Sequence, residues 1–206
     1  MNHMASDYAY HLSDVILGGQ DGLVNVLGLS IGVMGATADP KLVIVSGLAA
    51  MFAESISMGA VAYTSSKAAL DYEKKAALAA SMSRPETERI LLRLRGIGAE
   101  KLRYLRARLL APHEPSNGSP LSKGAKVWLA TMAGSLVPLW PYFFFEVHAA
   151  VALSVLSAAL VLFSTGALKA RWTVGSWMRS GFEMVLVGSL AALAGYAIGL
   201  LLRAPA

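Results

Sequence analysis

Residues 43–66 read VIVSGLAAMFAESISMGAVAYTSS, an apolar run whose single charged residue is Glu54. A helix needs roughly 20 predominantly apolar residues to cross a ~30 Å hydrocarbon core, so this run predicts a membrane span starting near Lys41 and ending near Ser66. Working outward, Asp39-Pro40 marks a turn before it. A Gly-rich span precedes the turn, from about Val15 to Ala36, carrying Gln20, Asp21 and Asn25. Further apolar runs predict a third span over Lys126–Phe145, a fourth over His148–Leu168 and a fifth over Gly181–Leu202. The fold class expected is an all-α integral membrane protein. Its five transmembrane helices carry a short helical cytoplasmic insertion between helices 2 and 3.

Composition agrees with that class. Only 15% of the 206 residues are charged and 55% are hydrophobic, with a mean hydropathy of +0.53. A soluble domain carries about a quarter charged residues. The absence of cysteine excludes disulfides, thiolate zinc sites and iron–sulfur ligation. The first residues, MNHMASDYAYHLSD, lack the basic and apolar pattern of a cleavable signal, so the first span is expected to direct insertion itself.

The net charge of +5 is distributed by topology rather than as a nucleic-acid footprint. Thirteen of the 18 Lys and Arg lie between Lys67 and Lys126, and Lys169, Arg171 and Arg179 cluster in a second loop. Five spans put 16 of the 18 on one face, the cytoplasmic one, with the N-terminus beside them and the C-terminus outside. The organisation expected is residues 1–66 (N-terminus and two spans), 67–124 (basic insertion and linker) and 125–206 (three spans). Within the insertion, KAALDYEKKAALAA continues the second helix into water, and Ser83-Arg84-Pro85-Glu86 predicts a fresh helix start with a capping box. Leu91, Leu94, Leu102, Leu105 and Leu109 then mark a basic amphipathic helix suited to anionic lipid headgroups. No internal repeat is present. If two symmetric halves are needed, a homodimer supplies them.

An ionised side chain in hydrocarbon costs roughly 3 kcal/mol on insertion scales, so the acids inside the spans need an account. Asp14, Asp21 and Asn25 share one helix face and form an oxygen ladder leading inward. On the second span Met51, Glu54 and Met58 form a matching stripe. Carboxylate with thioether suits a transition metal better than Mg²⁺ or Ca²⁺, and metal and proton compete for the same oxygens. Plainer readings stand beside these. Methionine is a packing residue, paired acids and amides serve as interhelical glue, and Asp14 suits the first turn of a helix. Glu183 reads equally as an interfacial charge, and Glu146 with His148 is too sparse for a metal site. Gly18/Gly22, Gly28/Gly32 and Gly195/Gly199 have the spacing of close helix contacts or of flexible helices, and Pro138 and Pro141 predict a kink or an end in the third span.

These stretches resemble the vacuolar iron transporter (VIT/CCC1) family. DVILGGQDGLVNVLGLSIGV (14–33) is similar to its first span, with the D-x6-D-G-L pattern. AESISMGAVAYTSSK (53–67), GSLVPLWPYFFF (134–145) and SGFEMVLVGSLAALAGYAIG (180–199) are similar to its second, third and fifth. The resemblance implies a homodimer of five-span subunits that moves Fe²⁺, or Mn²⁺ and other divalent metals, out of the cytosol against protons. It implies no permanently bound cofactor. Carried onto this sequence, the metal ligands are Asp14, Asp21 and Met58, with Glu54 as the second-span acid; the residue pattern itself adds Asn25, Met51, Glu73 and Glu183 as lesser candidates. Many relatives place that acid at the position of Ala50, one turn earlier. The insertion departs from the family's Glu-rich form, having Glu73, Glu86, Glu88 and Glu100 as its main acids. The membrane expected is a prokaryotic inner membrane, or else a vacuolar one.

Two other classes fit parts of the pattern. A membrane scaffold or sensor would use the basic helix to recruit a partner. An intramembrane enzyme would need a motif such as HExxH, which the sequence lacks.

Overall fold

A computed structural model describes residues 2–93, 119–172 and 176–203, with side chains described over 14–79, 119–170 and 176–203. The described residues form six helices: α1 (Asn2–Thr37), α2 (Pro40–Arg93), α3 (Pro120–Leu139), α4 (Pro141–Phe144), α5 (Val147–Trp172) and α6 (Trp177–Leu201). The chain divides into two compact units, Met1–Tyr63 with Leu121–Ala206, and Thr64–Pro120.

In the first unit α1 is central. Its Leu23, Leu27 and Ile31 pack with Ala158 and Leu162 of α5, and with Met184, Val185 and Ala192 of α6. On its other side, Val26 and Met34 meet Val43 of α2, Leu139, Tyr142 and Ala150. Association inside a bilayer gains little from hydrophobicity and depends on close backbone approach at small residues. The glycines supply that approach. Gly28 lies against Ala191 and Gly32 against Gly195, so α1 and α6 run parallel. Gly18 faces Val127 and Thr131, and Gly22 faces Thr131 and Ser135, so α1 and α3 are parallel too. Gly47 meets Leu139 while Gly59 meets Trp128, which makes α2 antiparallel to α3. Gly166 packs on Ser180 and Gly188 on Leu162, which makes α5 antiparallel to α6.

The α1–α2 corner is tight. Ala38 takes the left-handed conformation (φ 53°) and its N–H donates to the Met34 carbonyl. Asp39 then caps α2 by accepting the Lys41 N–H at 2.9 Å. Pro40 occupies the first helical position, where its missing N–H is harmless.

One expectation needs correction. Ser83 does not open a new helix, because α2 continues unbroken through Pro85 to Arg93. One proline costs about 3 kcal/mol in a helix interior, and the strong helix formers on both sides outweigh it. The rest of the expected basic amphipathic helix, including Leu94, Leu102, Leu105 and Leu109, lies outside the described residues, as does Glu100.

The third span is interrupted, as Pro138 and Pro141 predict. Among the described residues, four helical stretches are long and apolar enough to cross a membrane: Asp14–Thr37, Pro40–Ala79, Val147–Ala170 and Trp177–Leu201. Helix α3 does not qualify, because Lys123 and Lys126 occupy its start and the helix ends at Leu139.

The break after Leu139 follows from Pro141. The Val137 carbonyl would accept from the N–H four residues on, and Pro141 has none. Ser157 of α5 donates its hydroxyl to that carbonyl at 3.2 Å, and Ser154 donates to the Pro138 carbonyl at 2.7 Å. The freed backbone is thus satisfied from a neighbouring helix, as apolar surroundings require. Ser154→Ala leaves a buried carbonyl without this donor. A destabilisation of about 1–3 kcal/mol is expected, read as a lower thermal midpoint of the purified protein in detergent.

Candidate metal-transit site

The site begins with two helix faces. On α1, Asp21 and Asn25 are four residues apart and therefore lie one above the other. On α2, Glu54 sits at the facing position. The Asn25 amide Nδ2 donates to the Glu54 carboxylate Oε1 in a short contact, and the Asp21 carboxyl is within hydrogen-bonding reach of the same Glu54. Two acids and an amide from different helices thus converge inside apolar segments. Asp21 and Glu54 are half-buried, whereas Asn25 is exposed.

The methionines flank Glu54 at unequal depth. Met58, one turn further along α2, is half-buried. Met51 is buried at 3% exposure, the environment of a packing residue. Beside Glu54, the hydroxyl of Ser55 is buried without a hydrogen-bond partner, as are those of Ser30 on α1 and Ser135 on α3.

Asp14 stands apart from this group. Seven residues before Asp21, it lies about 10 Å away along the helix axis. Its carboxylate forms an ion pair with Lys123 of α3 at 3.0 Å. Glu183 also has its own partner, Arg179 one turn back on α6, at 3.2 Å on an exposed face. Glu73 belongs to the second unit. Among the described residues no three His, Cys, Asp or Glu side chains gather closely enough to hold a metal ion. The described residues of one chain therefore bring two carboxyls and an amide together here, short of the four to six ligands of a transition metal.

Sequence reading missed two interactions. The Asp14–Lys123 pair joins residues more than 100 positions apart, and only a basic residue in a helix first turn, where the dipole disfavours it, hints at it. Gln20 donates its side-chain amide to the Thr165 hydroxyl of α5 at 3.1 Å. That bond lies in a crevice of about 300 Å³ between α1, α3 and α5 whose described lining is uncharged.

The surface around the acidic group is also informative. Phe52 and Ile56 of α2 flank Glu54 in sequence, and both are largely exposed, with Leu17 on α1 and Val45 on α2 exposed as well. A polar group open on an apolar surface is costly in lipid unless something covers it.

Long apolar helices joined through glycine seams, with acids between two of them, define an all-α integral membrane protein with a polar site inside its membrane-spanning segments. The chain belongs to the VIT family, whose model matches residues 12–200. It is 30% identical to vacuolar iron transporter 2 of Oryza sativa subsp. japonica, over 89% of this chain and 84% of that one. Vacuolar iron transporter 1 of Arabidopsis thaliana is 29% identical over 90% of this chain and 83% of its own. Protein CCC1 of Saccharomyces cerevisiae is 28% identical over 88% and 66% respectively. Relatives named as transporters set the enzyme reading aside.

Proposed function

We propose that this chain transports divalent transition-metal cations, Fe²⁺ first among them, out of the cytosol in exchange for protons, as a homodimer of five-span subunits. The observation that carries the reading is the meeting of Asp21 and Glu54, with Asn25, between two apolar helices. Two carboxyl groups this close repel one another unless a proton or a cation lies between them. A site with those two stable fillings exchanges one for the other. The Met58 thioether, one turn from Glu54, biases the cation towards softer transition metals. The names of the relatives support Fe²⁺ as cargo.

The ligand count supports the dimer. A second copy related by a twofold axis along the open α1–α2 face doubles the carboxyls to four. It also covers Phe52, Ile56 and the exposed Asn25. In the five-span reading α3 and the one-turn α4 cross the bilayer together. The direction of α3, parallel to α1 and α6, supports that count. Asp14 and the basic insertion then face the cytosol, by the excess of Lys and Arg on that side. A vacuolar membrane, after the names of the relatives, and a prokaryotic inner membrane present the same face to the cytosol.

The test is flux through the purified full chain in proteoliposomes under anaerobic conditions, with Fe²⁺ on one side and a pH dye inside. Fe²⁺ movement accompanied by opposite proton movement, saturable and competed by Mn²⁺, is the expected result. Fe²⁺ entry at the rate of protein-free vesicles, whatever the pH gradient, defeats the proposal.

A further inference from the structure

The seam between α1 and α3 holds a feature that the acidic group between α1 and α2 does not explain. Gly18, Gly19 and Gly22 of α1 lie against Val127, Ala130, Thr131, Gly134 and Ser135 of α3. A Cβ placed on Gly18 would stand 2.9 Å from the Thr131 hydroxyl oxygen and 3.2 Å from the Val127 carbonyl oxygen, so the two helices touch there backbone to side chain. Asp14 is one turn before Gly18, and Lys123 is one turn before Val127. The ion pair therefore continues the seam by one turn, with the rigid glycine contacts fixing where each charge is presented. The Lys123 ammonium lies 3.0 Å from the Asp14 carboxylate, and the side chains are only 32% and 27% exposed. Lys123 also sits in the first turn of α3, a turn that contains no acid and where the helix dipole disfavours a cation. Asp14 offsets that penalty.

We propose that Lys123 is a tethered cation competitor that sets the valence selectivity of Asp14. This rests on the reading of Asp14 as the carboxylate that a metal ion meets before Asp21. With no divalent ion present the ammonium occupies the carboxylate. A free monovalent cation brings the same charge as the ammonium but lacks its tether, and tethering raises the local concentration of the ammonium far above that of ions in solution. Na⁺ and K⁺ therefore do not displace it at millimolar levels. A divalent ion at the same distance interacts twice as strongly with the carboxylate, because the Coulomb energy scales with the product of charges. It displaces the ammonium and proceeds inward. Lys123 is thus a specificity-determining residue, which lowers apparent affinity for the metal while excluding commoner monovalent ions.

The test compares wild type with Lys123→Gln and Lys123→Arg in the full chain reconstituted in proteoliposomes, using Mn²⁺ and Fe²⁺ as probes. Removing the ammonium in Lys123→Gln is expected to lower KM for the metal about tenfold, the factor for a carboxylate masked about nine-tenths of the time. It is also expected to make flux sensitive to inhibition by 100 mM K⁺ that leaves the wild type unaffected. Lys123→Arg is expected to restore the wild-type KM and K⁺ resistance. In an Asp14→Asn background, Lys123→Gln is expected to change neither property.

A merely structural pair gives a different pattern: Lys123→Gln lowers the amount of folded protein or the maximal flux, leaving KM and K⁺ inhibition unchanged. That result overturns the proposal while the transport reading stands. Metal flux absent from the wild type itself, with no Mn²⁺ bound by the detergent-purified protein in a spin-resonance titration, overturns both.

Discussion

Asp21→Ala is expected to reduce Fe²⁺ flux by about two orders of magnitude or more, which corresponds to roughly 3 kcal/mol of lost cation stabilisation. Asp21 contributes one of the two carboxyls that, among the described residues, converge between α1 and α2. Removing it leaves Glu54 with the Asn25 amide, which donates hydrogen bonds and neutralises no charge. A dication entering that site meets one negative charge per subunit instead of two. Dehydration of the ion is then no longer offset.

Asp21→Asn separates charge from hydrogen bonding. Its amide can still bond Glu54, so a role as interhelical glue predicts near-normal flux from this variant. A role in binding the ion predicts the same loss as for alanine. Thermal midpoint and elution volume of both variants should match the wild type within a few degrees, because Asp21 is only half-buried and lies off the glycine seams. Flux of Asp21→Asn at the wild-type rate would falsify the assignment.

Much of the fold was legible because the bilayer imposes a length rule. The runs beginning at Val15, Lys41, His148 and Gly181 fall within α1, α2, α5 and α6. The third run was harder. Periodicity does not distinguish a span of one helix from a helix of 20 residues, a turn at Trp140 and one further turn of helix. Pro138 and Pro141 announced a disturbance. Whether the freed carbonyls would find donors depended on Ser154 and Ser157, on a different helix.

The candidate site divides in the same way. Spacing on one helix is local information, so the faces shared by Asp21 with Asn25 and by Glu54 with Met58 follow from 3.6 residues per turn. That α1 and α2 turn these faces towards each other is tertiary information, carried by the corner at Ala38 and by packing at Val26 and Val43. The Asp14–Lys123 pair was illegible, because nothing in a single sequence sets the register of α3 against α1. The i, i+4 glycine pairs narrow the registers available without choosing among them.

The second large effect concerns that glycine register. Gly195→Leu is expected to yield no folded protein, read as loss of the monodisperse peak in detergent and of a cooperative thermal transition. Helix propensity alone points the other way, since glycine is less favourable in a helix interior than leucine by somewhat under 1 kcal/mol. Sterics decide the outcome. The Cα of Gly28 would lie 3.2 Å from a Cβ on Gly195, and the Gly28 carbonyl oxygen would be nearer still. Both are backbone atoms of a helix that is itself clamped, one turn on, where Gly32 meets Gly195 and Gly199. No flexible side chain can move aside, so α1 and α6 must separate along the whole seam.

Separation also pulls Leu23, Leu27 and Ile31 from Met184, Val185 and Ala192. Because the surrounding lipid is as apolar as these side chains, hydrophobicity does not restore the contact once close packing is lost. Gly195→Ala carries the same Cβ into the Gly28 backbone and is therefore expected to separate the helices as well, leucine adding further side-chain atoms to the clash. Leu193→Ala tests the other face of α6. Leu193 is 64% exposed in the single chain, so trimming it should leave the thermal midpoint within about 2 °C of wild type, a shift of at most about 0.5–1 kcal/mol for a domain of this size. Equal sensitivity at Leu193 and Gly195 would mean that helix content, rather than the register of α1 against α6, sets stability.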